Sequence, residues 1–288
     1  MLWISFGIFS ALLLGVYDVC RKAALQNNAV LPVLWLSTVA SACPFVVLIA
    51  MGQVLQVEAV LHVLILIKAI IVASSWVLEF FALKNLEISV VAPVRASQPV
   101  FTLLGAVTLF GERLTAGRWA GILIALVSYA FFSIAGRKRG ERFRVNKWIV
   151  CAFGAAIIGA GSSLYDKLLL NRIGIDPLVV QSWYTIYIAV ILGVILLLFW
   201  LPRRAATTKF SWRWSIPCIG LLLAAADALY FFALREPDAL IAMLAMIRRA
   251  NVVISFAAGA FLFREQNIRP KAVALGGILA GVILMTIL

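Results

Sequence analysis

The sequence predicts an all-α integral membrane protein of about ten transmembrane helices, arranged as two inverted five-helix repeats. Its composition, its long apolar runs and an internal repeat together support this fold class. Hydrophobic residues make up 64% of the 288 positions and charged residues 13%, whereas a soluble domain is roughly 45–50% apolar and 25% charged. The composition therefore excludes a soluble fold, and the net charge of +13 needs an explanation other than nucleic-acid binding.

Apolar runs approach the roughly 20 residues that cross the hydrocarbon of a bilayer, and polar or basic residues separate them. Leu31–Gly52 and Trp183–Leu201 are clear examples. The first run has no basic segment before it and no small-residue cleavage site, so we expect it to stay in the mature protein rather than act as a signal peptide. The predicted helices cover 2–24, 30–51, 59–83, 87–110, 116–136, 148–171, 177–201, 213–235, 239–263 and 269–288.

Most lysines and arginines lie in or beside the odd-numbered loops between these helices, and the densest cluster runs from Arg137 to Lys147. Basic loops of membrane proteins face the cytoplasm. We therefore expect a multi-pass protein of the cell (inner) membrane, with the odd-numbered loops in the cytoplasm and both termini outside.

The chain repeats with a period of about 150 residues. The segment Phe80–Lys84 recurs as Phe231–Arg235 and differs only in its last basic residue. Because each half contains an odd number of helices, the second half enters the membrane with the opposite orientation. In the fourth helix of each half, Ala92, Arg95 and Gln98 align with Ala245, Arg248 and Asn251. The predicted division is a first repeat over 1–136, a basic cytoplasmic linker over 137–147 and a second repeat over 148–288.

The end of each half carries a further shared pattern, in which an acidic residue follows the fourth helix and glycines mark the last helix. The residues are Gly111-Glu112 with Gly117 and Gly121, and Arg264-Glu265 with Gly276, Gly277 and Gly281. With ten helices in two halves, the whole chain resembles the drug/metabolite transporter superfamily, in particular its EamA-type members. The resemblance implies a transporter for amino acids, nucleotide sugars, sugar phosphates or cationic drugs. In the sugar-phosphate members, an adjacent basic pair in the ninth helix and a basic residue in the fourth hold the phosphate, and Arg248-Arg249 and Arg95 resemble that arrangement.

Arginines inside the predicted helices are the first candidate site residues, because an uncompensated arginine at the bilayer centre costs about 2.5–3.5 kcal/mol. One interpretation is an anion-binding clamp, since guanidinium groups match carboxylates and phosphates in shape and charge. The other is internal ion pairing with Asp227, Glu79 or Asp18. The predicted substrate-binding residues are Arg95, Arg248, Arg249, Gln98, Asn251, Trp76 and Tyr230.

Four carboxylates are candidates for proton coupling or for charge pairing: Glu79, Asp227, Asp18 and Asp166. Glu79 and Asp227 lie inside helices, where a desolvated carboxylate either exchanges a proton or neutralises an arginine. We expect Asp18 to pair with Arg21 and Lys22, and Asp166 with Lys167, at helix ends. Lys68 has no counterpart in the repeat, and we expect it to meet an acid or the cavity.

The residue inventory argues against an enzyme. His62 is the only histidine, so histidine-based metal sites and catalytic dyads have no ligands, and no ATP-binding motif is present. We therefore expect no catalytic residues, no metal and no cofactor. The prediction is a secondary active transporter for a small organic anion or zwitterion, working by alternating access. The alternatives are a flippase for a lipid-linked phosphate and an exporter of cationic or neutral drugs and amino acids.

The expected partners are the substrate, whether a small molecule or a lipid phosphate, and the lipid bilayer, without nucleic acid. The glycine spacings Gly117–Gly121 and Gly277–Gly281 permit two helices to approach closely. They fit packing within one chain or the contact of a homodimer, so the sequence leaves both a monomer and a homodimer open.

Overall fold

The computed structural model describes residues 2–52, 57–85, 97–135, 147–206, 208–251, 254 and 268–287. Within these ranges the chain forms ten α-helices and no strand. The helices are α1 (Leu2–Leu25), α2 (Val30–Ala50), α3 (Ala59–Asn85), α4 (Gln98–Phe110), α5 (Ala116–Ala135), α6 (Lys147–Lys167), α7 (Pro177–Ile195), α8 (Ser215–Arg235), α9 (Ile241–Arg249) and α10 (Ile268–Ile287). The predicted all-α fold with ten helices is confirmed.

Length and composition make most of these helices capable of crossing a bilayer. In the described residues, six candidate spans contain α1, α2, most of α3, α6, α7 and α8, while α4, α5 and α10 contain shorter apolar stretches. The chain is therefore a multi-pass membrane protein. Its orientation in the membrane stays a prediction.

Local sequence explains where several helices begin and end. The Asp176 carboxylate accepts a hydrogen bond of 2.8 Å from the backbone N–H of Leu178, which caps α7, and Pro177 occupies the first turn, where a missing donor is tolerated. At the other end of a helix, Gly111 stops α4 with a φ of 64°, a left-handed conformation that glycine adopts without strain.

α6 does not end at Lys167. It continues through a π-helical turn over Leu168–Arg172, and α7 continues in the same way over Leu196–Trp200. Asp166 and Lys167 are 4% and 6% exposed, so they lie in the interior of the bundle and not at an interfacial helix end, where the sequence suggested they would lie.

The principal helix contacts join the first five helices to the last five, and they occur in exchanged pairs. α1 packs on α8 as α6 packs on α3; α2 packs on α8 as α7 packs on α3; and α1 packs on α9 as α6 packs on α4. α2 contacts α7, α4 contacts α9 and α5 contacts α10. Two related halves facing each other across a pseudo-two-fold axis have this contact pattern. The division at 136 and 148 itself stays a prediction.

α5 and α10 approach so closely that a side chain does not fit between them. A Cβ atom added to Gly281 would lie 2.6 Å from the Gly121 carbonyl oxygen and 2.7 Å from the Ala125 backbone nitrogen. Small residues allow this close approach of two membrane helices. Gly121 and Gly281 therefore serve packing within one chain, one of the two roles that the glycine spacing left open.

α9 lies in the centre of the bundle. Its residues Ile241, Ala242, Met243, Leu244, Met246 and Ile247 are all at most 5% exposed, and Phe231 and Leu234 of α8 belong to the same buried cluster. A helix that is apolar on every side lies inside the protein. The helix thus brings Arg248 and Arg249, at its end, into the middle of the molecule.

Candidate functional site

A cavity of about 200 Å³ lies at the end of α9 and is bounded by helices of both halves. Polar and charged side chains form much of its wall. The lining residues are Leu14 of α1, Gln98, Pro99 and Thr102 of α4, Ser163 of α6, Tyr230 of α8, Ala245, Arg248 and Arg249 of α9, and Asn251. Five of the seven predicted substrate-binding residues are among them: Gln98, Tyr230, Arg248, Arg249 and Asn251.

Arg248 forms an ion pair on the cavity wall. Its Nη2 donates a hydrogen bond of 2.6 Å to Oδ1 of Asp227, and the two side chains are 19% and 18% exposed. The guanidinium carbon lies 4.1 Å from the centre of the Tyr230 ring, within range of a cation–π interaction. Among the described residues, the buried Nε–H of Arg248 has no acceptor. Buried donors are rarely left unpaired in native proteins, so this donor is free for a ligand.

Two further hydrogen bonds tie the end of α9 to the first half. Arg249 donates from Nη2 to Oε1 of Gln98 at 2.5 Å, and Asn251 donates from Nδ2 to Oδ2 of Asp18 at 2.7 Å. Together with the Arg248–Asp227 pair, they connect one short segment to α1, α4 and α8. A change in the relative position of the halves therefore acts directly on the cavity.

Helix boundaries of both halves meet at the cavity. α9 stops at Arg249, inside the continuous helix predicted over 239–263, because Ala250 and Asn251 make tighter i→i+3 backbone hydrogen bonds of 3.0 and 3.3 Å. α4 begins at Gln98, with Pro99 in its first turn, and Gln98 is the repeat counterpart of Asn251. Helix ends that meet at a central site are typical of transporters built from repeats.

Lys68 pairs with an acid, which is one of the two environments predicted for it. It forms an ion pair with Asp166, and the side chains are 3% and 6% exposed. Asp166 therefore does not pair with Lys167. That predicted pairing is wrong because adjacent residues of a helix point about 100° apart, so Asp166 faces Lys68 of α3 and Lys167 faces Glu112.

Lys167 instead joins a buried contact with Glu112, which follows α4. Lys167 Nζ donates to a Glu112 carboxylate oxygen at 2.5 Å, and the side chains are 7% and 2% exposed. The same carboxylate accepts the backbone N–H groups of Ile241 and Ala242 at 2.7 and 3.3 Å. α9 has no side-chain cap at its own N-cap residue, Leu240, so a residue of the first half caps it.

Sequence reasoning missed this contact between Glu112, Lys167 and α9. The sequence identified the Gly-Glu pattern after the fourth helix only as a family feature. The signal that would have found it is the absence of a capping residue before Ile241, combined with an acidic residue after α4. We call Glu112, Lys167 and the first turn of α9 the α9 anchor.

The other predicted site residues have different positions. Trp76 packs against the buried cluster of α3 and α7 that contains Ile65 and Tyr184, and it is not among the described residues that line the cavity. Asp18 of α1 accepts the hydrogen bond of Asn251 beside the cavity, and Glu79 of α3 is not among the described lining residues. Arg95 lies outside the described residues.

Comparison with known proteins gives one family match and a match to a solved structure. Residues 1–134 match the EamA-like transporter family. A solved crystal structure, described only as that of a protein, superposes with a TM-score of 0.75 over 99% of this chain and 96% of its own, at 18% sequence identity. This likeness shows a shared fold over nearly the whole chain. Comparison with curated proteins gives no significant match.

Proposed function

We propose that this chain is a secondary active transporter for a small organic anion or zwitterion, because residues 1–134 match the EamA-like transporter family, whose members move small molecules across membranes. The substrate binds in the cavity at the end of α9, and the two halves alternate its access to either side of the membrane. The observation that carries the proposal is the Arg248–Asp227 pair on the cavity wall.

The charges around the cavity determine the proposed substrate class. Arg248 and Arg249 offer planar, bidentate donors that suit a carboxylate or phosphate. Asp227 pairs with Arg248 at 2.6 Å, so an incoming anion takes the place of Asp227 on the guanidinium. Asp227 then faces the cavity as a free carboxylate, which suits the ammonium group of a zwitterion. A zwitterion therefore leaves neither charge of the pair without a counter-charge.

The size of the cavity supports a small metabolite over a drug-sized substrate. Its volume is about 200 Å³, whereas pockets for drug-sized ligands measure roughly 300–1,000 Å³. The cavity volume therefore favours the metabolite transporter over the drug exporter.

Contacts between the halves support alternating access. The hydrogen bonds of Arg249 with Gln98 and of Asn251 with Asp18 cross from the second half to the first. A ligand that competes for these donors weakens one arrangement of the halves and stabilises another, which is what a transport cycle requires. No nucleotide-binding motif is present in the sequence, so the energy comes from a gradient or from exchange.

Thermal stabilisation of the detergent-solubilised protein tests the proposal. The probes are inorganic phosphate, succinate, glutamate and choline, which represent a phosphate, a dicarboxylate, a zwitterion and a cation. The variants are Arg248→Ala and Arg249→Ala. Arg235→Ala is the matched control, because Arg235 forms an exposed ion pair in which its Nη1 lies 2.9 Å from Oδ2 of Asp176. A ligand that binds the folded state raises the melting temperature.

We expect stabilisation by an anion or by glutamate in the unmodified protein and in Arg235→Ala, and its loss in both cavity variants. Stabilisation by choline alone, unchanged in Arg248→Ala and Arg249→Ala, contradicts the proposal and favours the exporter of cationic drugs.

A further inference from the structure

A second charged pair lies in the interior, outside the cavity wall. Lys68 of α3 and Asp166 of α6 form an ion pair whose side chains are 3% and 6% exposed. The proposed binding of substrate does not use either residue. Ionisable residues within membrane helices are rare and mark substrate, ion or proton pathways, so this pair requires a role.

The surroundings of Lys68 allow it to keep its charge without Asp166. Its ammonium lies 4.5 Å from the centre of the Tyr184 ring and 5.1 Å from that of Phe231. Aromatic faces stabilise a desolvated cation. Among the described residues, the Asp166 carboxylate pairs with Lys68 and accepts no backbone N–H group. Neutralising Asp166 therefore breaks no backbone hydrogen bond in that part of the chain.

Glu112 differs in this respect. Its carboxylate accepts two backbone N–H groups of α9 in addition to Lys167. Adding a proton to Glu112 therefore weakens the cap of α9, whereas adding one to Asp166 leaves the helix caps unchanged. Of these two buried pairs, Lys68–Asp166 is the one built to change its protonation.

Asp166 is electrically coupled to the cavity. Asp227 of α8 and Arg248 of α9 both act on its carboxylate. The other titratable groups around it are Lys68 of α3, Tyr184 of α7, Tyr230 of α8, and Tyr165 and Lys167 beside it on α6. Arg248 lies over the Tyr230 ring, and Lys68 lies over the Phe231 ring. The centres of these two rings are 5.6 Å apart. A charge that enters the cavity therefore acts on Asp166 through a low-dielectric interior.

We propose, on the basis of the transport function proposed above, that Asp166 binds the proton that accompanies the transported anion. When an anion joins Arg248, water delivers a proton to a carboxylate oxygen of Asp166, which becomes a neutral carboxylic acid. Lys68 stays an ammonium above its two rings, and the loaded protein has the same net charge as the empty one. When the anion leaves, the O–H bond breaks, the proton returns to water and Asp166 pairs again with Lys68.

The position of the pair gives this proton a mechanical effect. Lys68 and Asp166 lie on helices of different halves, α3 and α6, which pack directly against each other. Protonation replaces an ion pair between the halves with a weaker contact. Substrate, proton and the movement of the halves are thereby coupled.

Proton uptake on ligand binding tests the inference. A pH-indicator dye reports the uptake in weakly buffered detergent solution when inorganic phosphate, succinate or glutamate is added at matched pH. The variants are Asp166→Asn and the double variant Lys68→Met with Asp166→Leu, which removes both charges and folds without a buried unpaired ion. Asp176→Asn is the control, because its carboxylate belongs to an exposed pair.

We expect a proton to be taken up with each bound anion in the unmodified protein and in Asp176→Asn. Asp166→Asn and the double variant are expected to bind the same probe and take up none. Uptake that persists in these two variants, or a bound anion without uptake in the unmodified protein, overturns the inference.

Infrared spectra of the ligand-free protein separate this result from a failure of the proposed function. If no probe binds, the proposed substrate class is wrong, while the proton site remains testable. A carboxylic-acid band that grows between neutral and mildly acidic pH and is missing in Asp166→Asn supports the site. The absence of any Asp166-dependent band overturns it.

Discussion

Two ion pairs of this molecule have the same kinds of charged group but opposite surroundings. Glu112–Lys167 is sealed, with side chains 2% and 7% exposed, and its carboxylate also holds the backbone of α9. Arg248–Asp227, at the other end of the same helix, is 19% and 18% exposed and lies on the wall of the cavity. The first pair fixes where α9 begins, and the second offers charges at the place where α9 ends.

The difference shows how one short helix combines anchoring with binding. Removing one partner of a buried pair costs a large amount of free energy, because its other hydrogen bonds are lost as well. Such a pair therefore does not exchange a partner for a ligand. A partly exposed pair with an unused donor exchanges partners at lower cost, because the ligand replaces the lost contact. Four variants sharpen or break this comparison.

The largest effect is expected in the α9 anchor. Glu112→Gln leaves the Lys167 ammonium buried without its counter-charge and weakens the cap of α9. Removing one partner of a buried pair lowers the free energy of unfolding by about 3–5 kcal/mol. Denaturant titration in detergent measures this loss. A destabilisation no larger than that of Asp176→Asn contradicts the anchoring role.

Arg248→Gln is expected to affect binding more than stability. It removes the charge that pairs with Asp227 and stacks on Tyr230. The dissociation constant for an anionic probe rises about thirtyfold, or about 2 kcal/mol, while the melting temperature of the ligand-free protein falls less than in Glu112→Gln. Titration calorimetry with the probe that stabilises the unmodified protein measures the affinity. Equal losses of stability in the two variants remove the distinction between anchor and binding pair.

Gly159→Ala tests the contact that positions the second arginine. An added Cβ atom lies 2.9 Å from Nε2 of Gln98, the side chain that accepts a hydrogen bond from Arg249. The flexible amide moves away, so the fold is retained and Arg249 loses its acceptor. The expected loss is about 1 kcal/mol of binding free energy, or roughly fivefold in affinity. Binding by Gly159→Ala that matches the unmodified protein shows that Gln98 does not position Arg249.

The smallest effect is expected at the membrane surface. Asp176 and Arg235 form an exposed pair whose side chains are 45% and 51% exposed. Water and salt screen such a pair, which contributes less than about 1 kcal/mol. Asp176→Asn therefore changes neither binding nor proton uptake. A large change in either would mean that surface charges, rather than the interior pairs, control the transporter.

The fold and half of the cavity chemistry could be predicted from the sequence, for identifiable reasons. Hydropathy marks helices directly because the bilayer selects for long apolar runs. Arg248 and Arg249 were predicted as site residues because a charge inside an apolar run needs a partner. The repeated pattern that contains Arg248 also identified Asn251. All three residues line the cavity.

What could not be predicted depends on contacts between distant segments. Lys68 and Asp166 lie on separate helices, and nothing in either local sequence identifies the other. The pairing of Lys167 with Glu112 requires knowing that the end of α4 lies beside α6, although the two residues are 55 positions apart in the sequence. Trp76 was predicted at the site as an aromatic residue that could stack on the substrate, but it packs against the buried cluster of α3 and α7.

Uptake of a labelled probe into proteoliposomes tests the central claim, that the cavity at the end of α9 is the transport site. The probe is the anion or zwitterion that stabilises the purified protein, and the proteins are the unmodified chain, Arg248→Gln and Asp176→Asn. We predict saturable uptake by the unmodified chain and by Asp176→Asn, and uptake by Arg248→Gln that is reduced about thirtyfold at low probe concentration, in line with its weaker binding. Uptake by Arg248→Gln at the rate of the unmodified chain would contradict the account and place the transport site elsewhere.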